Sequence, residues 1–204
     1  YSNNSSDVYL DFNEGNITKI NKINISGNSA FSKNTILSKI RSKTKKITNI
    51  LANNNFKIFE LNNDVMRIQN FYKKQGYKDV NVQFEVEYNS NNRVEIFFLI
   101  DEGKQYFFNA LKINNNLDKN KDLEDKLFSL IDKNQSSNNN IYHSDLIDQI
   151  ELDISEILQN LGIQYFKISA FEKIQNNKAD IMFEISSTEP IYVNQINITG
   201  NDRT

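Results

Sequence analysis

One short pattern occurs three times in this chain, and its spacing limits what the chain can fold into. From Lys19 to Phe31 the apolar residues Ile20, Ile23 and Ile25 stand between polar neighbours, and the run stops at Gly27-Asn28. Alternation of this kind reads as a half-buried strand ended by a residue able to take positive φ. Leu111-Lys112-Ile113-Asn114-Asn115-Asn116 and Asn197-Ile198-Thr199-Gly200-Asn201 follow the same plan, each roughly 85 to 88 residues after the last. A similar doublet precedes each copy: Glu14-Gly15, Glu102-Gly103 and Glu189-Pro190. The chain is expected to be an array. Its 204 residues allow one large or two small domains, the small ones each near the size at which one core becomes adequate.

The first repeat opens with a strand at 20–25. Ser32 is a plausible N-cap for a short helix carrying Ile36, Leu37 and Ile40. A lysine-rich stretch, Arg41 to Lys46, leads to an irregular segment with Phe56 and Phe59. A second helix is expected from a cap at Asn62 or Asn63, with Val65, Ile68, Phe71 and Tyr72 as its stripe and Gly76 as its stop. Val80, Val82, Phe84, Val86 and Tyr88 then alternate with Asn81, Gln83, Glu85 and Glu87, a regular strand pattern. Asn89 to Asn92 is turn chemistry, and Val94 to Ile100 returns as a nearly all-apolar strand suited to a central position.

The second repeat runs the same programme. Phe107 to Ile113 is a strand with Asn at the turn in place of Gly, and Leu123, Leu127, Leu130 and Ile131 mark a helix followed by a polar loop at Gln135–Asn140. Ser144 or Asp145 is the expected cap of a longer helix whose face carries Leu146, Ile147, Ile150, Ile154, Ile157 and Leu161, stopped at Gly162. Phe166–Ile174 and Ala179–Ile185 form a hairpin across Gln175-Asn176-Asn177. Residues 1–15 read as the end of a preceding repeat, 16–103 as repeat one, 104–189 as repeat two and 190–204 as the truncated start of a further one. Each unit is thus an α+β fold, strand–helix–helix–strand–strand, whose two amphipathic helices can cover only one face of a three-stranded sheet.

A formal charge of −2 gives no polyelectrolyte attraction to nucleic acid or anionic lipid, and the absence of cysteine excludes disulfides and thiolate metal sites. No run approaches the roughly 18 apolar residues of a membrane-spanning helix. The first residues lack a basic segment followed by an apolar one, so any export signal is expected to lie upstream or to have been removed. His143-Ser144-Asp145 is not a triad, because adjacent side chains cannot meet in the required geometry; a loop histidine beside an N-cap is expected. Asp145, Asp148, Glu151, Asp153 and Glu156 spread around a helix, which suits a solvated face better than a metal site. No catalytic residue, metal ligand or cofactor is assigned.

The pattern I-x-x-I-x-I-x-G-N-x-x-F-S from Ile20 to Ser32 resembles the opening of a polypeptide-transport-associated (POTRA) domain. The helix ending in Gly76-Tyr77 and the strand ending in Asp101-Glu102-Gly103 resemble the same family. Tandem copies of this length are similar to the periplasmic arm of BamA-type outer-membrane assembly factors, in the order of the third and fourth repeats with the ends of their neighbours. The resemblance implies a three-stranded mixed sheet, and a non-catalytic scaffold that receives unfolded outer-membrane protein precursors and holds accessory lipoproteins beside a C-terminal membrane barrel that this chain does not contain. It leaves open a POTRA module of another envelope system, such as autotransporter assembly, two-partner secretion or cell division. Physically, a sheet border offers unpaired N–H and C=O groups to which an extended client can add with little sequence preference. The outer member of the first hairpin is the natural donor, which assigns client binding to Val80, Asn81, Val82, Gln83, Phe84, Glu85, Val86 and Glu87.

Overall fold

A computed structural model describes residues 9, 17–45, 53–117, 120–137 and 140–189. The expected strands at either terminus, within 1–15 and 190–204, lie outside these residues except for Tyr9. The chain divides into two compact units, Tyr1–Phe71 with Val80–Glu102 and Tyr72–Asp79 with Gly103–Thr204.

In the first unit, β1 (Lys19–Ser26) is followed by α1 (Lys33–Lys39), α2 (Ile58–Lys73, its last two residues counted with the second unit), β2 (Asn81–Asn89) and β3 (Arg93–Asp101). The sheet order is β1-β3-β2, with β1 parallel and β2 antiparallel to β3, so the last strand is central. Its inward row Val94, Ile96, Phe98 and Ile100 is buried, as the apolar run predicts. Ser32 caps α1, its Oγ accepting from the Thr35 N–H at 3.1 Å. Lys43, from the lysine-rich stretch, closes the other end by donating to the carbonyls of Leu37 and Ile40 at 2.9 and 2.8 Å. A cation at a helix C-terminus also meets the negative end of the helix dipole.

Helix α2 starts at Ile58, earlier than the expected caps at Asn62 or Asn63. The reason is that its buried row is Leu61, Asp64, Ile68 and Tyr72, all fully buried, and a carboxylate inside that row breaks the apolar period. Gly27 ends β1 at φ +80°, and a Cβ there would lie 1.9 Å from the Ile100 carbonyl oxygen, so both the turn and the close approach require glycine.

The second unit contains β4 (Phe107–Asn115), α3 (Lys121–Ser137), α4 (Ser144–Asn160), β5 (Phe166–Gln175) and β6 (Lys178–Ser187), in sheet order β4-β6-β5. The register repeats the first unit in detail. A bulge follows Ile20 in β1 and Phe108 in β4, and Lys19 and Phe107 make equivalent isolated bridges to Asn55 and Ile141. Ala179, Ile181, Phe183 and Ile185 form the inward row of β6 and meet Leu123 and Leu127 of α3 and Leu146, Ile150, Ile154 and Leu158 of α4. Each sheet is therefore mixed and has its helices on one face.

Two expectations change here. Gln135 belongs to the last turn of α3 and not to a loop. The cap of α4 is His143 itself, whose Nδ1 accepts from the Leu146 N–H at 3.2 Å, while Ser144 opens the helix. The missing glycine of the second copy is explained by Asn115. It stays in the strand, and its side-chain oxygen accepts from the Leu117 N–H at 3.1 Å, forming the turn without positive φ.

Candidate functional site

The sheet order makes β2 a border strand, with β3 as its neighbour among the described residues. Val80 is buried just before the strand begins, and Val82 is buried within it. Phe84 and Val86 continue the inward row but are only half-buried, and Tyr88 is 70 % exposed. Covering therefore decreases along the row toward the hairpin end. Phe84 meets Phe98 of β3 at a ring separation of 6.4 Å, and Tyr88 meets Phe56 at 6.0 Å, and both rings keep exposed surface.

Asn81, Gln83, Glu85 and Glu87 form the exposed outward row. Opposite them on β3 stand Asp101, Leu99, Phe97 and Glu95, respectively. Glu87 faces Glu95 directly, a like-charge pair that disfavours close packing of this face. Leu99 is 39 % exposed and Phe97 half-buried, so the open face carries a narrow apolar ridge where the sequence pattern had suggested a wholly polar one.

The other border of this sheet is partly closed by the chain itself. The Ile20 N–H donates to the Asn54 carbonyl at 2.8 Å, the Phe56 N–H to the Thr18 carbonyl at 2.8 Å, and the Asn54 side-chain amide to the Ile20 carbonyl at 3.2 Å. Borders in the second unit are treated likewise: the Phe108 N–H donates to the Asn140 carbonyl and the Tyr142 N–H to the Tyr106 carbonyl beside β4, while β5 has β6 as its strand neighbour.

Among the other described residues, Lys78 pairs with Glu172 and lies over the Tyr142 ring, and the Tyr106 hydroxyl donates to Asp79 at 2.6 Å. His143 acts as a helix cap. On α4, Asp145 pairs with Lys74 at 3.0 Å, and Asp153 accepts from Gln149 at 2.7 Å. Among the described residues no three His, Asp or Glu side chains gather as a metal-binding set, and no helix is long and apolar enough to cross a membrane. Sequence reasoning passed over a groove between β4 and α3, because it arises from Gln135 and Phe128 on a helix whose end was assigned to a loop.

Residues 18–103 match the family model described as POTRA, surface antigen variable number repeat. The chain is 32 % identical over 207 residues to an outer membrane protein assembly factor BamA of Buchnera aphidicola, covering 99 % of this chain and 33 % of that protein. It is 23 % identical to the same-named protein of Neorickettsia risticii, covering 98 % of this chain and 27 % of that one. It thus spans about a third or less of the length of these relatives. Among solved structures, POTRA3-5 of Haemophilus influenzae BamA superposes with a TM-score of 0.63 at 19 % identity, covering 96 % of this chain and 76 % of that one. Haemophilus ducreyi BamA lacking POTRA domains 1-3 gives a TM-score of 0.51 at 16 % identity, covering 83 % of this chain and 29 % of that one. The repeated β–α–α–β–β order, the central last strand and these matches agree: residues 18–103 are a POTRA repeat, the second unit repeats its fold, and together they resemble the tandem repeats of BamA outer membrane protein assembly factors.

Proposed function

We propose that this chain is a periplasmic scaffold module of an outer-membrane β-barrel assembly machinery, which holds unfolded barrel precursors by strand pairing along β2. The observation that carries this reading is the border position of β2, together with an inward row that becomes progressively uncovered from Val82 to Tyr88. A fourth strand laid beside β2 would pair with its backbone and cover the exposed surface of Phe84, Val86 and Tyr88. Backbone pairing asks little of client sequence, which suits a scaffold serving many different barrel strands. The outward Glu85 and Glu87 oppose permanent association of this border with a second copy.

The relatives are named assembly factors, and no catalytic step, metal or cofactor enters the proposal. Partners carried over from that role are unfolded outer-membrane protein precursors, accessory lipoproteins of the complex, and a membrane reached through a barrel; nucleic acid is not among them. An isotope-labelled chain titrated with a capped, extended peptide from a barrel strand tests the reading. Amide shifts centred on Val80–Glu87 are expected. Saturable binding that leaves those amides unmoved would overturn it.

A further inference from the structure

Beside β4 the second unit holds a groove of about 910 Å3, walled by the strand residues Leu111–Asn115 and by α3. Its floor is Leu127 and Ile131 of α3, with exposed Gln135 one turn further on, and its rim is the exposed row Glu124, Phe128 and Asp132. Phe128 is 74 % exposed, a large apolar side chain standing between two carboxylates one helical turn away on either side. Neither Glu124 nor Asp132 has an ion-pair partner among the described residues. Around the strand border, Met182 of β6 lines the same groove from the open face of the sheet and is 39 % exposed.

The strand side of this groove is partly occupied by a side chain that mimics a peptide group. The carboxamide of Gln135 accepts from the Leu111 N–H at 3.4 Å and donates to the Asn109 carbonyl at 3.5 Å. These are long, weak hydrogen bonds, which an incoming peptide group can replace at little cost. With Asn140 and Tyr142 bonded at the start of β4, the chain closes this border up to Leu111 and leaves Lys112–Asn115 against the apolar groove.

The equivalent place in the first unit has the same topology and different chemistry. A groove of about 550 Å3 between β1 and α1 is lined by Lys22, Lys33, Lys43, Asn21 and Asn34, with Ile23 and Leu37 as its apolar members. An apolar floor with an acidic rim is therefore a property of this particular repeat and does not come with the fold.

We propose that the β4–α3 groove is a second acceptor for an extended segment, one with an apolar residue flanked two positions away on each side by Lys or Arg. The spacing supports this choice. Glu124 and Asp132 are two helical turns apart, about 12 Å along the axis, and residues i and i+4 of a strand are about 13 Å apart on one face. A strand paired with β4 places its central apolar side chain over Phe128 and its two cations over Glu124 and Asp132. This inference rests on the reading that the chain accepts extended strands, but it concerns a different border.

The probe is a capped nine-residue threonine peptide with lysine at its third and seventh positions and valine at its fifth. Its counterparts carry glutamate in place of lysine, or N-methyl groups on alternate amides. Backbone amide shifts of the full chain are the readout. The lysine peptide is expected to move Leu111–Asn115 and Leu127–Gln135, to bind roughly tenfold more tightly than the glutamate peptide, and to lose binding on N-methylation and in Phe128→Asp. The double change Glu124→Lys and Asp132→Lys, both on the surface, is expected to reverse the preference between the two peptides. Equal binding of the two peptides, or insensitivity to N-methylation, overturns the proposal. Shifts confined to β2 would do so too, while leaving the β2 reading intact.

Discussion

The carboxylate of Asp64, fully buried on α2, accepts a hydrogen bond from the backbone N–H of Ser42 at 2.9 Å. It takes the N–H of Arg41 at 2.7 Å as well, and the Arg67 guanidinium approaches it at 2.6 Å. A charge in the apolar row of a helix is tolerated because the chain leaving α1 turns two amides onto it and Arg67 neutralises it. Asp64→Ala leaves the buried Ser42 amide and the part-buried Arg41 amide without their acceptor, while Arg67 keeps Glu60, and should cost about 1–3 kcal/mol. Asp64→Asn keeps the shape and one acceptor, and should cost less. Urea unfolding of the two variants measures the difference, and equal losses would mean that volume rather than hydrogen bonding sets the cost.

Two glycines separate strain from collision. Gly27 and Gly162 both have positive φ, +80° and +77°, yet a Cβ at Gly27 would strike the Ile100 carbonyl while one at Gly162 meets nothing within 4 Å. Gly162→Ala should cost about 1–2 kcal/mol, the left-handed penalty alone. Gly27→Ala adds a backbone clash between β1 and β3 and should cost clearly more, read as a larger drop in thermal midpoint.

His143 caps α4 through a nitrogen, so the chemistry of the acceptor can be tested at one position. His143→Ala should cost about 1 kcal/mol, and His143→Asn should restore most of it. Chemical denaturation gives both values.

Alkaline pH should bear on the second unit through Tyr142. Burial, and then Glu172 beside it, raise its phenol above the ordinary value near 10. In the unfolded chain the phenol loses its proton near pH 10, whereas the folded protein retains it. The stabilisation is complete below that pH and is lost as pH rises through the higher folded value. Tyr142→Phe should therefore flatten the decline in stability above about pH 10. At the acid end, Lys74 lowers the Asp145 pKa, so that pair contributes above the unfolded carboxylate range and fades as pH falls. Both partners are well exposed, and the acid effect should be small and removable by salt.

These residues also show what the sequence could reveal. Alternation from Val80 to Tyr88 and the apolar run before Ile100 specified a hairpin with a central last strand, because period-two burial leaves a direct mark on composition. The start of α2 was hidden by Asp64, and the end of α3 by Gln135, for one reason. Each is a polar residue satisfied by backbone groups distant in sequence, Asp64 on the buried row of α2 and Gln135 exposed near the end of α3, and periodicity cannot register such a partner. His143 was legible as a residue near a cap but not as the cap, since imidazole rarely fills that place. The β2 border was legible because it needs only strand order. The β4 groove was not, because it depends on where one helix ends.

Client pairing along β2 can be measured against a natural blank, because the chain contains no cysteine. Glu85→Cys places a single thiol on the outward row, and a barrel-derived peptide carrying one cysteine at successive positions supplies the partner. Disulfide yield should rise and fall with a period of two along the peptide, the mark of a strand in register beside β2. A yield that is flat along the peptide, or that matches the yield from a thiol placed at Glu151 on α4, would contradict strand pairing at this border.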